Sequence, residues 1–215
     1  PFTRHERKMK YKIYIPHTNK PEMIQECLDH LPDDISKDII LIDNSKEKNL
    51  NKFKDKYQVL ETQIQLNTAQ TYNLMRKHAI ENVDLLFFMH DDCMVHDDIG
   101  AFIDKSLEIM RSDSSVGCVY VDDSEEYTCK DLLCCYRCGM LEDIGEWDAL
   151  SFPFYYLDLD FFNRIEAGWK VSTTNLKIEH KNGGSNTLKN DIERQIVNGY
   201  YLEVSKTLFK TKWEI

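Results

Sequence analysis

The stretch "FFMHDDCMVHDD" (87–98) holds a dense group of side chains that could bind a cation. It continues the apolar run "LLFFM" (85–89), and the next nine positions carry four carboxylates and two histidines. Carboxylate oxygens are the ligands that Mg²⁺ and Mn²⁺ prefer in proteins. Taken alone, however, an acidic pair at a strand end is more often solvated. The adjacent Asp91 and Asp92 are therefore either a cation site or a solvated turn, and the surrounding elements distinguish the two.

Two other β-type runs also end in polar side chains. "YKIYIPHTN" ends with His17 and Asn19, and "IILIDNS" ends with Asp43, Asn44 and Ser45. Ligands of an open α/β sheet lie beyond the carboxyl ends of its strands, so these side chains are expected to converge with the acidic pair. The sequence contains neither GxGxxG nor GxxxxGK[ST], so phosphates would be held through a metal rather than by a glycine-rich loop.

The composition is that of an acidic globular chain. Its 215 residues are 42% hydrophobic and 11% aromatic, which suits one domain with a substantial core. The net charge of −10 disfavours nucleic acid as a partner. No apolar run reaches the length of a membrane span, and residues 1–10 lack the apolar region of a signal peptide, so we interpret them as an N-terminal extension.

The seven cysteines include four in "CKDLLCCYRC" (129–138). Cys135-x-x-Cys138 would suit zinc, but no second well-spaced pair or flanking histidine completes a four-ligand set. Alternation along an extended strand is the simpler interpretation. We expect free thiols in a reducing compartment, and hence a cytoplasmic protein.

Strands and helices alternate along the first part of the chain. The residue pattern predicts strands over 11–18, 37–45, 83–92 and 115–123, and helices over 20–31, 67–82 and 97–112. This alternation indicates an α/β domain with a mainly parallel central sheet flanked by helices.

The pattern changes after residue 123. It predicts an extended segment over 128–141, a helix over 155–169, a β-prone segment over 170–180, a loop over 181–187 and a helix in the last 25 or so residues. No internal repeat or linker is found, so residues 11–215 are expected to form one domain.

In their order along the chain, these segments resemble the family 2-like glycosyltransferases of the GT-A fold. "FFMHDDCMV" is similar to their D-x-D metal region, and "IPHTNKPEMIQECLDHL" and "IILIDNS" are similar to their first two strands. "LNTAQTYNLMRKHA" resembles their helix with two asparagines, here Asn67 and Asn73. "DIGEWDALSFPFYYLDLDFFNRIEAGWKV" is similar to the acceptor-side stretch, and "IEHKNGGS" to a late strand with a histidine. The resemblance covers roughly residues 11 to 187.

The resemblance implies a Rossmann-like domain whose residues 11–123 bind a nucleotide and whose residues 124–215 bind an acceptor. The implied reaction moves a sugar from a nucleoside diphosphate, UDP by default, to a hydroxyl of a carbohydrate or glycoconjugate acceptor, with inversion. Asp43, expected at the surface, would read the base or ribose. The other implied nucleotide-site residues are His17, Asn19, Asn44, Ser45, Asn67, Asn73 and Asp91.

The resemblance also implies a Mn²⁺ or Mg²⁺ site and a general base. The motif reads His90-Asp91-Asp92-Cys93 instead of a strict D-x-D, which makes Asp92 the metal ligand and places Asp91 nearer the ribose or diphosphate. His180 would complete the metal shell. Asp158 is the implied base, and Asp160 is its rival. On the acceptor side the implied contacts are Gly145, Trp147 and Asp148, with the Trp147 ring stacking on a sugar.

Each of these residues also has a simpler structural interpretation. His180 could be a structural histidine, Asp43 a helix cap and Trp147 a packing residue. The acidic pair at 158 and 160 would favour a helix start in any case. A last group is interpreted as surface or capping residues: His17, His96, Asp97 and Asp98.

Two other classes of function remain open at this point. One is a module of the same fold that binds a nucleotide-sugar or carbohydrate without catalysis. The other is a nucleotidyltransferase, which also uses paired acidic residues with Mg²⁺ but would need a glycine- and lysine-rich loop that "IPHTNKPE" lacks. A metal phosphatase is weaker still, since nothing supplies a second full ligand set.

Overall fold

A computed structural model describes residues 8–122, 131–181 and 192–215, with side chains from residue 199 onward in the last segment. The strands are β1 (Tyr11–His17), β2 (Ile39–Asp43), β3 (Gln58–Glu61), β4 (Leu85–Met89), β5 (Cys93–Val95), β6 (Val116–Val121), β7 (Leu133–Arg137), β8 (Lys170–Thr174) and β9 (Ile178–His180). The α-helices are α1 (Pro21–Asp29), α2 (Thr68–Asn82), α3 (Ile99–Ser112), α4 (Cys138–Ile144), α5 (Leu157–Glu166) and α6 (Ile192–Trp213). Short 3-10 helices span Asp33–Asp38 and Asn51–Phe53.

Seven strands form the central sheet in the order β3-β2-β1-β4-β7-β6-β8. Four of its strand pairs are parallel, and only the two pairs made by β7 are antiparallel. The α/β class with a mainly parallel sheet is therefore confirmed. Because β1 pairs with β2 on one side and β4 on the other, the order reverses between β1 and β4. A crevice at such a switch point, beyond the carboxyl ends of the strands, is where ligands bind in open α/β sheets.

Alternating side chains of the central strands face two separate cores. Ile13 and Phe87 belong to the core beneath α1 and α3, whereas Tyr14 and Phe88 belong to the core beneath α2, α4 and α5. Every residue of β4 is buried, as expected for a parallel strand covered on both faces. This double burial explains why "LLFFM" is continuously apolar up to the point where the acidic residues begin.

The predicted helix starts agree with the structure. Asn67 caps α2 in a capping box, in which its side chain accepts from the Gln70 N–H at 2.8 Å and Gln70 Oε1 accepts from the Asn67 N–H at 3.0 Å. Asp98 caps α3 by accepting from the Gly100 N–H. Capping oxygens of this kind satisfy the N–H groups that a first helical turn leaves unpaired.

The second half of the chain differs from the sequence prediction. The segment over 128–141, expected to be extended, forms β7 and then turns into α4 at Cys138, so the alternation along one strand is wrong for that cysteine. The β-prone segment over 170–180 is two strands that join different sheets: β8 pairs with β6, and β9 pairs with β5. Most of the predicted loop over 181–187, and residues 123–130, lie outside the described residues.

The cysteines of the described residues are free thiols. Six are present, and all are buried. None of the described helices is both long and apolar enough to cross a membrane.

A buried acidic residue joins α6 to α5. Asp160 is fully buried; its Oδ2 accepts from the Arg164 Nε–H at 3.1 Å, and its Oδ1 accepts from Trp213 Nε1–H at 3.1 Å and Lys212 Nζ at 2.7 Å. Partners from both helices thus share one carboxylate. The end of α6 depends on this charge for its position.

We expect Asp160→Asn to destabilise the fold by about 2–3 kcal/mol, because it leaves buried or half-buried donors without an ionised acceptor. Urea unfolding followed by circular dichroism measures the change. Glu166→Gln, at the exposed end of the same helix, is the matched control and should change stability by less than about 0.5 kcal/mol. Equal stability of Asp160→Asn and the parent would contradict this role.

Candidate metal centre and active site

Two histidines and one carboxylate meet beyond the carboxyl end of β4. His90 follows β4 directly, Asp92 lies in the turn to β5, and His180 ends β9, paired with Cys93 of β5. His180 Nε2 lies 3.2 Å from Asp92 Oδ2, and His90 Nδ1 lies 3.6 Å from Asp92 Oδ1. One ligand atom from each residue lies within 4.8 Å of the others, which is close enough for one metal ion to contact all three. Asp92 and His180 come together as the resemblance implied, and His90 joins them.

The carboxylate of Asp92 is held in its charged form. Burial alone would raise its pKa, but the imidazoles of His180 and His90 hold the pKa of Asp92 well below its usual range. A carboxylate must be deprotonated to bind a metal, so this environment already favours the form that a cation needs. Asp92 itself is only 2% exposed. A solvated acidic turn is therefore excluded for this residue.

The second ring nitrogen of His90 has its own partners. Nε2 lies 3.1 Å from the Tyr72 hydroxyl and 3.3 Å from Asp131 Oδ1. A carboxylate beside the outer nitrogen of a metal-binding histidine fixes the ring and makes it a better ligand. Nδ1 is thereby left on the side of Asp92. Sequence analysis missed His90 as a ligand and missed Asp131 entirely, since an isolated aspartate ahead of β7 carries no recognisable pattern.

Asp158 lies half-buried in the first turn of α5, and its charge interacts with those of Asp131 and His90. Burial and the negative charge of Asp131 raise its pKa to about 7, against the opposing effects of backbone N–H groups and of His90. A carboxyl group that titrates near neutral pH is suited to accept and release a proton. Tyr156, the residue before α5, holds a left-handed backbone conformation (φ 63°), so the chain turns sharply into the helix here.

Asp160 points to a different part of the molecule. Both residues belong to α5, where positions two apart lie about 200° apart around the axis. Both oxygens of Asp160 are engaged by Arg164 and the end of α6. The geometry therefore favours a structural role for Asp160 and does not support it as the rival base.

The strand-end residue Asp43 is buried rather than exposed. Its Oδ1 accepts from the Ser45 N–H at 2.9 Å, and its Oδ2 accepts from the Leu50 N–H at 3.0 Å. The expectation of a surface carboxylate was therefore wrong. Both oxygens instead organise the loop after β2, which is closer to the capping interpretation than to recognition of a base.

The neighbouring polar residues belong to the same loop network. Asn44 pairs with the backbone of Leu66, donating to its C=O at 2.9 Å and accepting from its N–H at 2.8 Å. Ser45 Oγ accepts from the N–H of Asn19, which has a left-handed backbone (φ 66°). These contacts connect the ends of β1 and β2. The side chains lie where β1 and β2 end, and their contact with a nucleotide stays a prediction.

The expected acceptor-side residues mainly fix the backbone ahead of α5. Asn73 pairs with the backbone of Trp147, donating to its C=O at 2.9 Å and accepting from its N–H at 2.8 Å. The Trp147 ring is 2% exposed and stacks on Phe161 with a centroid distance of 3.7 Å. Packing, and not a stacking platform for a sugar, is what these contacts support. Gly145 ends α4 with φ 81°, and Asp148 accepts from backbone N–H groups of the next turn.

His17 is likewise not a surface residue. It is 1% exposed at the end of β1, and its Nδ1 lies 2.8 Å from Asp91 Oδ2. The other members of that group, His96, Asp97 and Asp98, are exposed as expected. The switch point between β1 and β4 thus contains a second imidazole–carboxylate pair beside the three-ligand group.

This architecture is the GT-A fold of glycosyltransferases. The 1–349 piece of S. aureus TarS is similar to 78% of this chain, with a TM-score of 0.59 and 13% identity. Mannosyltransferase PcManGT from Pyrobaculum calidifontis, solved with GDP-Man and Mn²⁺, is similar to 79%, with a TM-score of 0.57 and 13% identity. GalNAc-T7, solved with UDP, GalNAc and Mn²⁺, is similar to 81%, with a TM-score of 0.60 and 12% identity.

At these identities the likeness shows a shared fold. The matched regions cover 59%, 56% and 44% of those three chains, respectively, so each of them contains much that lies outside the match. No protein-family model matches the sequence, and no curated protein matches it. The structure confirms the GT-A fold that the sequence resemblance implied.

Asp158→Asn is expected to stabilise the metal-free protein above pH 7. The pKa of Asp158 in the folded state, about 7, lies above the ordinary value of 3.8, so its ionisation opposes folding as pH rises from about 4 to 7. Removing the charge should add about 1–3 kcal/mol at pH 8 and much less at pH 4. Urea unfolding in EDTA at both pH values measures this. The control Asp104→Asn, exposed on α3, should show no such dependence, and an equal response of the two variants would contradict the raised pKa.

Proposed function

We propose that the protein is a divalent-metal-dependent glycosyltransferase that moves a sugar from a nucleoside diphosphate to an acceptor hydroxyl. The observation that carries the proposal is the group of His90, Asp92 and His180 at the switch point of a GT-A fold, together with Asp158, whose charge interacts with that of His90. Potential metal ligands and a carboxyl group that titrates near neutral pH are the two components that this chemistry requires.

The donor set fits a transition metal with positions left open for substrate. Two imidazole nitrogens and one carboxylate oxygen suit Mn²⁺ better than Mg²⁺, which prefers oxygen ligands throughout. Two of the similar structures contain Mn²⁺ with UDP or GDP-Man. A bound divalent ion would let a chain of net charge −10 hold a diphosphate, and as a Lewis acid it would stabilise the charge on the departing group.

Asp158 would act on the acceptor as the general base. Its carboxylate takes the proton of the attacking hydroxyl while the acceptor oxygen forms a bond to C1 of the sugar. The bond from C1 to the diphosphate oxygen breaks, and its electron pair leaves with the diphosphate. Attack from the face opposite the leaving group inverts C1. A half-buried position and a pKa of about 7 make Asp158 a suitable acceptor of this proton.

The proposal has four finer parts. UDP is the proposed nucleotide, and the acceptor is a carbohydrate or glycoconjugate. Residues 11–123 would bind the donor, and residues 124–215 would bind the acceptor. The buried free thiols and the sequence composition support a cytoplasmic site of action.

Nucleotide binding should depend on Mn²⁺. We expect calorimetry to show UDP binding with Mn²⁺, weaker binding with Mg²⁺, and little binding in EDTA. His180→Ala should weaken binding in Mn²⁺ by at least about tenfold, because one of three protein ligands is lost. UDP affinity that is the same in Mn²⁺ and EDTA would refute the metal centre.

His96→Ala provides the matched control for this experiment. His96 is exposed, follows β5, and pairs with Glu179, so the substitution alters the same small sheet without touching the three-ligand group. Its UDP affinity should equal that of the parent. A loss as large as that of His180→Ala would indicate that the sheet, and not the imidazole of His180, is what matters.

Asp158→Asn should retain donor binding and lose transfer. Removal of a general base lowers turnover by roughly 10²–10⁴-fold without changing the affinity for the donor. UDP-, GDP- and dTDP-sugars are screened with Mn²⁺ for transfer and for slow donor hydrolysis, and the variant is compared on the best donor. Full activity of Asp158→Asn would remove its assigned role. A parent that binds nucleotide but neither transfers nor hydrolyses any donor would favour the binding-module alternative.

A further inference from the structure

His17 is a fully buried imidazole with only one of its two nitrogens paired. Its side chain has no exposed surface, and Nδ1 lies 2.8 Å from Asp91 Oδ2. Nε2 is also buried and has no hydrogen-bond partner among the described residues. Whichever nitrogen carries the proton, one polar atom of this ring is buried unpaired.

An unpaired buried polar atom lowers stability, since it loses its bonds to water and gains none in return. An apolar residue at the end of β1 would avoid this cost, and its neighbours Ile13 and Ile15 are of that type. Groups that break such a local rule are concentrated at functional sites. The contact that the imidazole makes and an apolar side chain could not make is the hydrogen bond to Asp91.

The sheet fixes His17 more firmly than it fixes Asp91. The backbone C=O of His17 accepts from the Asn44 N–H at 2.9 Å, and the residue is in register with Asp43 of β2. Asp91 lies in the turn after β4, with 19% of its side chain exposed. Its second oxygen, Oδ1, receives no hydrogen bond from the described residues. The buried ring therefore orients a half-buried carboxylate.

We propose that His17 is a positioning residue: its ring holds the Asp91 carboxylate so that Oδ1 is available to the bound nucleotide. The D-x-D resemblance implies that this carboxylate lies nearer the ribose or diphosphate, and a ribose hydroxyl is the group that Oδ1 could accept from. An ionised carboxylate only accepts hydrogen bonds; a ribose hydroxyl can donate one, whereas phosphate oxygens cannot. Asp91 adjoins Asp92, whose metal would hold the diphosphate, and the ribose is the next group along the nucleotide. This inference rests on the proposed function.

Two substitutions at position 17 separate positioning from packing. His17→Phe keeps a ring but removes the donor, and His17→Asn keeps an N–H group that can reach Asp91. In Mn²⁺, we expect His17→Phe to bind UDP and GDP roughly tenfold more weakly than the parent, since a hydrogen bond to a charged group is lost. His17→Asn should recover most of that affinity. Urea unfolding should show His17→Phe to be at least as stable as the parent, because the unpaired nitrogen is gone.

The ribose contact is tested with 2′,3′-dideoxy-UDP as the probe. The parent should bind it roughly tenfold more weakly than UDP, whereas His17→Phe and Asp91→Ala should bind the two ligands nearly equally, because coupled groups are not additive. If His17→Phe does not fold, His17→Leu and Asp91→Ala carry the comparison. Parent-like UDP affinity in His17→Phe overturns the inference and leaves the proposed function intact. Failure of the parent to bind any nucleotide with Mn²⁺ overturns the proposed function itself.

Discussion

The buried negative charge of Asp92 is the constraint on which the candidate site depends. A charge removed from water needs partners, and the fold supplies two imidazoles, one beside each carboxylate oxygen. One comes from the end of the central strand β4, and the other from β9, whose only described strand partner is β5. His90 is placed by the end of β4, whereas His180 reaches Asp92 only when β9 is paired with β5. A cation bound at the same place would be a third partner for the buried negative charge of Asp92.

A chain of contacts carries the influence of this charge to α5. His90 approaches Asp92 with one ring nitrogen and Asp131 with the other, and the charge of Asp131 acts on Asp158. The β4–β7 pairing brings His90 and Asp131 together, and Asp158 comes from α5. The ligand group and the candidate base are therefore electrostatically coupled. A substitution that removes the charge of Asp131 would therefore alter the electrostatic environment of both His90 and Asp158.

Sequence reasoning succeeded where local rules decide the structure. The continuous apolar run of β4 and the capping box at Asn67 follow from burial on two faces and from unpaired N–H groups at a helix start. It failed where long-range pairing decides. Nothing near Asp131 in the sequence indicates its contact with His90, which requires β7 to lie antiparallel beside β4. The burial of Asp43 likewise depends on how the loop up to Leu50 folds back over it.

The same distinction applies to the second half of the site. The resemblance implied Asp158 as the base and kept Asp160 as its rival, because the contacts that occupy Asp160 come from α6 and are not visible in the local sequence. Trp147 illustrates the point again. An aromatic residue near an expected sugar site suggests stacking, yet the structure covers its ring with Phe161. Composition identifies candidate groups, and only tertiary packing decides which of them are accessible.

The two-stranded sheet that carries His180 has a further consequence for dynamics. A pair of three-residue strands is marginally stable in water by itself, so β5 and β9 should separate at a lower free energy than the strands of the central sheet. Such opening would remove one imidazole from Asp92 while the seven-stranded sheet remains intact. A cation held by all three side chains would oppose the separation of β5 and β9, since a ligand stabilises the state that binds it. The backbone amides of β5 and β9 would then exchange their hydrogens with solvent at a rate that reports occupancy of the centre.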